Sequence, residues 1–238
     1  MAETERKFGT ALPGWTPPRA PDATVLDGAY ARLERLRPEV HSADLHAANC
    51  ADDRIWDYLG YGPFAAADDY RQWADSMAAQ SDPCFYAIID KATGRAGGVA
   101  SYLRITPAAG SIEVGHINLS PVLQGSRVAT EAMFLMMAWV FAAGYRRYEW
   151  KCDALNLPSR RAAERFGFSY EGVFRQHMIY KGRNRDTAWF AMTDQDWPAI
   201  AAAFRAWLAP DNFDAAGRQR LRLSDLTHPL LVARDPAL

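Results

Sequence analysis

Residues 112–168, IEVGHINLSPVLQGSRVATEAMFLMMAWVFAAGYRRYEWKCDALNLPSRRAAERFGF, carry the reading on which the fold turns. They divide into a strand (IEVGHINLS), a polar turn (PVLQGSR), an apolar helix (VATEAMFLMMAWVFAA), a second strand (YRRYEWKCDA) and a capped helix (NLPSRRAAERFGF). The first helix has almost no polar face, because Met133, Phe134, Met136, Met137, Trp139 and Val140 leave none, so it must be buried. Its opening turn nevertheless carries Gln124, Gly125, Ser126 and Arg127. A helix N-terminus presents unpaired backbone N–H groups and the positive end of the helix dipole, which suits a phosphate, and Arg127 adds a fork for phosphate oxygens. An ordinary strand-to-helix turn capped by Ser126 or Thr130 accounts for the same residues. The common nucleotide motifs, GxxxxGK(S/T) and GxGxxG, are absent. In the second helix Asn156 and Ser159 frame the start, Pro158 sits in the first turn and Gly167 closes the end. Simple capping explains these too. Two helix starts following two neighbouring strands, however, aim their polar groups at one cleft.

Working outward, YARLERLRPE reads as a short strand, and after Pro38 the pattern turns helical, with Ser42 or Asp44 as the cap of HAANCADDRIWDYL and Gly60 and Gly62 as its end. A second helix starts near Ala66 with acidic residues in its first turn, and its stripe of Tyr70, Trp73 and Met77 reads as core. Phe85–Ile89 is a strand, and KATGRAGG is a hairpin turn into VASYLRIT. Beyond Phe168, SYEGVFRQHMIYKGRNRDTAWFAMT reads as two long strands joined at KGRNR. Thr193 with Asp196 has the form of a capping box opening a helix that ends at Leu208, before Pro210. Residues 1–27, rich in proline, form an extended arm that Trp15 docks; residues 28–208 form one domain; residues 209–238 form a tail whose scattered leucines wrap the core or reach a partner subunit.

With 238 residues, 49% of them hydrophobic, the chain can bury a sizeable core. Its 27 basic and 28 acidic side chains nearly cancel, so no global field draws it to nucleic acid or to a membrane. The cysteines, Cys50, Cys84 and Cys152, are odd in number and lack metal-like spacing, which predicts buried reduced thiols, no metal site and a cytoplasmic location. The start of the chain shows no apolar signal region, and no run of apolar residues is long enough to span a bilayer.

The turn QGSRVATEA, then GYRRYEWKCDALN, then NLPSRRAAERFGFSYEGVFR together resemble the Gcn5-related N-acetyltransferases (GNAT), in particular the branch of ribosomal-protein N-terminal acetyltransferases, the RimJ/RimL type. Asn156–Phe168 matches that family's N-x-x-S-x-R-x-x-E-(K/R)-x-G-F pattern at every stated position. The resemblance implies an α+β, three-layer acyl-CoA N-acyltransferase fold: a mixed, mostly antiparallel sheet, flanked by helices, whose central strand pair splays apart. It further implies acetyl-CoA as co-substrate, with the pantetheine arm paired along Ile117 and Leu119 in the splay and the pyrophosphate on the turn Gln124, Gly125, Ser126, Arg127, Val128, Ala129 and Thr130. Asn156 would then hold the pantetheine, Arg161 would meet a CoA phosphate or brace its helix, and Ser159 would protonate the leaving thiolate. The family turn is (Q/R)-x-x-G-x-(G/A), so Arg127 stands where glycine is usual, either crowding the pyrophosphate or binding it.

Amine acetylation requires the neutral amine, hence a route for its proton. A protein α-amine, with a pKa of about 7.7–8.0, needs less help than a lysine-like amine near 10.4. Glu113, His116, Glu149 and His177 are the candidate bases, Glu113 before His177, with His116 read as a satisfied buried histidine. Strand alternation places Glu113 and His116 on opposite faces. The charges of RRYEWKC read as a solvated face. The expected activity is direct transfer of acetyl to a primary amine, on a protein N-terminus or a small molecule, by a monomer or homodimer. The alternative is a noncatalytic acyl-CoA-binding or regulatory module on the same fold.

Overall fold

The computed structural model describes residues 7–238; the first six residues of the arm lie outside the described residues. Eight strands form one sheet in the order β1-β2-β3-β4-β5-β6-β8-β7: β1 Val25–Asp27, β2 Ala31–Arg35, β3 Cys84–Asp90, β4 Arg95–Thr106, β5 Ser111–Leu119, β6 Arg147–Asp153, β7 Ser169–Tyr180 and β8 Arg183–Thr193. Among the described strands the β5–β6 pair alone is parallel. This is the mixed, mostly antiparallel sheet that the resemblance implied. The helices are α1 Pro38–Asn49, α2 Ala67–Ala78, α3 Arg127–Ala142, α4 Leu157–Arg165, α5 Trp197–Leu208 and the short α6 Leu223–Thr227.

The sheet separates two cores. On one face α3, α4 and α5 pack Met136, Val140, Ala163 and Phe204 against Tyr102, Tyr148 and Phe190 of the strands. On the other, a smaller cluster joins Leu45 of α1 and Tyr70 and Ala74 of α2 to Trp56, Phe85 and Val99. The apolar helix is buried as its composition demands, and the Tyr102 hydroxyl, sealed in the larger core, donates to the Met136 carbonyl at 2.9 Å.

The ends of α4 show why this segment folds where it does. Asn156 Oδ1 accepts from Ser159 N at 3.1 Å, satisfying an N-terminal donor. At the other end Phe168 N and Gly167 N donate to Ala163 O and Glu164 O, a Schellman closure. Gly167 has φ +88, and a Cβ there would fall 2.6 Å from Ile200 Cδ1. Backbone conformation and packing against α5 both demand glycine.

Local order departs from the sequence reading in four places. The first helix begins at Pro38 rather than at Ser42 or Asp44, with Arg37 N donating to His41 Nδ1; Asp44 instead accepts from Ala96 N and pairs with Arg95. That helix stops at Asn49, because Asp52 caps a separate 3-10 turn, Asp53–Trp56, by accepting from Arg54 N, a local alternative to continued helix. The arm contributes β1, which pairs with β2. Finally, Asp196 Oδ2 reaches back to Thr193 N at 2.9 Å as a capping box would, but Thr193 remains in β8 and α5 opens at Trp197. The tail wraps the core: Arg160 of α4 forms two 2.6 Å bonds to the Asp235 carboxylate, and Glu164 accepts from Arg234 and from Asp235 N.

Candidate active site

The parallel ladder between β5 and β6 runs only from Ser111–Arg147 to Val114–Trp150. Beyond it β5 continues to Leu119 and β6 to Asp153 with no pairing between them. The cause of the divergence is visible in β5. Between its pairings with Ser101 and Val99, β5 spends three residue steps, Gly115 to Asn118, against two on β4, and His116 adopts φ +50. This bulge bends the strand away from β6. Gln124 Nε2 then ties off the end of β5 by donating to Leu119 O at 3.0 Å.

The wedge opens into a continuous cleft of about 1350 Å³. Ile117, Leu119, Gln124, Gly125, Ser126 and Arg127 line it, followed by Ala129 and Thr130; from α4 come Asn156, Ser159 and Arg161. Val128 turns away and packs against the larger core. Ser126 caps α3 by accepting from Ala129 N, which leaves the N–H groups of Arg127 and Val128 without an intrahelical acceptor. The Arg127 side chain is held by aromatic contacts. Its guanidinium lies between two rings, 3.6 Å from the centroid of Phe213 and 4.5 Å from that of Tyr30. Tyr30 is held there because Glu131 on α3 accepts from the backbone N–H groups of Ala29, Tyr30 and Ala31.

In α4 the brace expected of Arg161 is supplied by its neighbour Arg160. Arg160 is the buried brace to the tail, whereas Arg161 is exposed, lines the cleft and pairs with no described acid. Ser159 Oγ accepts from the Trp150 indole at 3.0 Å. Its neighbour Cys152 is buried and its thiol pushed up to about 11, chiefly by burial.

At the opposite end of the wedge, Glu113 is buried between two cations, with Arg104 at 2.7 Å and Lys151 at 2.8 Å. Burial raises its carboxyl above the ordinary carboxylate range, and Lys151 and Arg104 pull against that shift. Lys151 also pairs with Glu149 at 2.7 Å and lies 3.8 Å from the centre of the Trp189 ring; Glu149 in turn pairs with Arg147. The expected solvated face is therefore a covered ladder of alternating charge, in which the Lys151 and Glu113 side chains are 6% and 4% exposed. The β7–β8 hairpin hides it, which period-two alternation does not reveal.

The bulge corrects a second expectation. Gly115 pairs with Ser101, which pairs with Phe85, and a Cβ on Gly115 would lie 3.6 Å from Glu113 Oε1. His116 stacks on Tyr61 and sits 5.1 Å from Phe85. Glu113 and His116 thus share a face, because the extra residue resets the alternation. Burial, then Arg104, lowers the His116 imidazole to about 4, so it is neutral at pH 7, with Nδ1 against the Tyr61 hydroxyl at 3.2 Å.

His177 reaches the cleft from a wide bulge in β7, where Arg175–His177 oppose the single residue Asp186. Gln176 N donates to Asp186 at 2.7 Å to hold it. His177 Nδ1 contacts Thr187 Oγ1 at 3.0 Å, and slight burial followed by Arg104, Arg185 and Lys151 lowers its pKa. Tyr180 Oη donates to Asp153 at 2.8 Å on the same wall. Of the thiols, Cys84 and Cys152 are buried as expected, but Cys50 is exposed.

Residues that sequence reasoning passed over include Arg104, Lys151 and Arg165, whose guanidinium reaches Thr130 Oγ1 at 3.3 Å, and the tail loop around Phe213. Lys151 was visible as a charge alternating with Glu149; nothing local marked the tail.

A wedge between parallel strands, bounded by two helix starts, is the architecture of acyl-CoA N-acyltransferases, and comparison agrees. The sequence matches the family described as Acetyltransferase (GNAT) domain over residues 31–169. The chain is similar to a crystal structure of a GCN5-related N-acetyltransferase from Brucella melitensis, with 47% identity and a TM-score of 0.89 over 91% of this chain and 99% of that one. A probable GNAT-family acetyltransferase from Chromobacterium violaceum gives 39% identity and a TM-score of 0.77, over 83% and 100%. An uncharacterized N-acetyltransferase, p20, of Bacillus licheniformis is 25% identical, over 70% of this chain and 95% of its own. The chain belongs to the GNAT acetyltransferase family.

Proposed function

We propose that the protein transfers acetyl from acetyl-CoA to a primary amine, by direct attack in a ternary complex. The observation that carries this reading is the β5–β6 ladder ending at Val114–Trp150 beside two helix N-termini. An extended arm has unpaired strand edge to follow there, and a pyrophosphate has free N–H groups at the start of α3. In this reading Ser159, fixed by the Trp150 indole, donates its proton to the departing thiolate. His177 takes the proton of the amine, because its Nε2 has no partner among the described residues and its lowered pKa keeps the ring neutral at pH 7. Glu113 has a cation on each oxygen, so its role is to fix Arg104 and Lys151 rather than to accept a proton.

The acceptor in this reading is an α-amine of a protein or a small amine, and three free cysteines favour the cytoplasm as the site of action. The cleft at that end is walled by β7–β8 and by the loop around Tyr58, whose hydroxyl contacts Leu155 O at 3.3 Å. The test is a panel of peptides and small amines assayed for release of free CoA thiol, beside thermal denaturation with acetyl-CoA. Turnover with any member upholds the proposal. A raised melting temperature with no thiol release across the panel assigns the chain to noncatalytic acyl-CoA binding, and no shift at all removes acyl-CoA from the reading.

A further inference from the structure

The region matched to the acetyltransferase family ends at residue 169, yet the phosphate end of the cleft is not closed by that region alone. Phe213, Gly217, Arg218 and Gln219 of the tail line the same cleft as the first turn of α3. They are tied to it by contacts on both sides. Phe213 stacks on the Arg127 guanidinium; Arg165, which reaches Thr130, lies 5.2 Å from the ring centre of Trp207; and Trp207 Nε1 donates to Gln219 Oε1 at 2.8 Å.

The loop is built to hold one shape. Asn212, 5% exposed, donates to Trp207 O at 2.9 Å and accepts from Leu221 N at 2.8 Å, and its carbonyl accepts from Arg220 N. Phe213 and Gln219 form a bridge across the loop. Within it, Asp214 Oδ1 accepts from Ala216 N and Arg218 N, both at 2.9 Å. A surface loop with that many internal bonds has already lost the freedom that binding would otherwise cost it.

Its charge is one-sided. Arg161 and Arg165, one turn apart on α4, face the cleft together with Arg218 and the stacked Arg127. At this end the one lining-loop acid is Asp214, paired with Arg218 at 2.8 Å, while Arg161 pairs with no described acid. The acids that line the cleft, Asp52, Asp57, Glu113 and Asp153, belong to the acceptor end. The pyrophosphate already has the N–H groups of α3, so the arginines across from it exceed what a pyrophosphate needs.

We propose that the tail loop Phe213–Gln219 is a third wall of the nucleotide end, and that Arg218 with Arg161 recognises the 3′-phosphate of a 3′-phosphorylated ADP group. This rests on the acetyl-CoA reading above and adds to it a selectivity between CoA and its 3′-dephospho form. A dianionic phosphate between two arginines gains charge-assisted hydrogen bonds that the free hydroxyl of dephospho-CoA cannot make in full.

The experiment is calorimetric titration of the full chain with CoA and with 3′-dephospho-CoA, for the wild type, Arg218→Ala and Arg161→Ala, at low and at moderate salt. The wild type is expected to bind CoA at least about tenfold more tightly than dephospho-CoA, an advantage that shrinks with salt. Either substitution should weaken CoA several-fold and leave dephospho-CoA nearly unchanged. Arg218 is an exposed loop residue, and an unaltered melting temperature of the unliganded variant shows that the fold is intact. Equal wild-type affinities for the two ligands, or an equal loss of both in Arg218→Ala, overturns this inference while leaving acetyl-CoA binding in place. Failure of both ligands to bind overturns it together with the reading on which it rests.

Discussion

Ser159 is positioned by two bonds of different kinds: its backbone N–H caps onto Asn156, and its hydroxyl accepts the Trp150 indole. In the proposed reading its hydroxyl proton is the one the departing thiolate takes. A positioned acid contributes typically about 10²–10⁴ in rate, so Ser159→Ala is expected to slow the chemical step in single-turnover measurements by about 100-fold, with acetyl-CoA affinity nearly unchanged. An unslowed step would remove Ser159 from the mechanism. His116 gives a prediction in pH. Its folded pKa of about 4 lies below the unfolded value near 6.5, so the unfolded chain binds the extra proton between them. The stability owed to a neutral His116 is therefore complete above pH 6.5 and is lost as pH falls from 6.5 toward 4. Urea denaturation of wild type and His116→Gln across that window should show a shallower slope in the variant, and an NMR titration of the ring should find it still neutral at pH 5.5. The sequence identified His116 as a buried histidine, and of the two residues it offered as caps of α4, Asn156 is the cap while the Ser159 hydroxyl is engaged by Trp150. It placed Glu113 on the wrong side of His116, because a bulge of one residue leaves no mark in an alternating pattern.

Among the elements, α4 is the one whose whole course was legible in the sequence, from the Asn156 cap to the Gly167 turn, since caps and C-terminal glycines act through neighbours three to five residues away. What holds α4 to the rest was not legible, because its partners lie about seventy positions downstream. Arg160 and Asp235 are almost fully buried, with side-chain exposures of 7% and 0%. Removing one member of a buried pair leaves the other charge without compensation, typically at a cost of about 3–5 kcal/mol. Asp235→Ala should accordingly lower unfolding stability by about that amount, read from urea midpoints at constant m-value. A loss below about 1 kcal/mol would mean that the tail is only loosely applied. A milder variant, Arg234→Ala, removes the half-exposed partner of the buried Glu164 carboxylate, which keeps its bond from Asp235 N, and is expected to cost less than Asp235→Ala, about 1–3 kcal/mol.

For the molecule as a whole, ligand occupancy should be measurable without knowledge of the acceptor. At about 100 times Kd a ligand specific for the folded state adds about 2.7 kcal/mol, and in a chain of this size each kcal/mol moves the midpoint by about 2–4 °C. Acetyl-CoA is thus expected to raise Tm by about 5–10 °C at that excess. Hydrogen exchange should slow at the first turns of α3 and α4 and at Phe213–Gln219, and unchanged exchange in the tail loop would detach it from the cofactor site. The run of strands and helices along residues 112–168 and the apolar central helix were readable from local pattern and turn chemistry, whereas the splayed pair was implied by the family resemblance and the order of strands in the sheet came only with the structure. The charge ladder from Arg104 to Arg147 and the tail wall were not readable either, since each depends on side chains brought together only by the closed sheet.

The two cores on opposite faces of one sheet have a consequence for how such a protein diversifies. The smaller cluster, built by α1, α2 and the Trp56 turn, shares β3 and β4 with the larger one and meets the cleft through Ile55, Leu59 and the Tyr58 hydroxyl on Leu155 O, away from the start of α3. In the acyl-transfer reading proposed above, substitutions within residues 36–83 are therefore expected to alter the choice of amine more than the grip on the acyl donor.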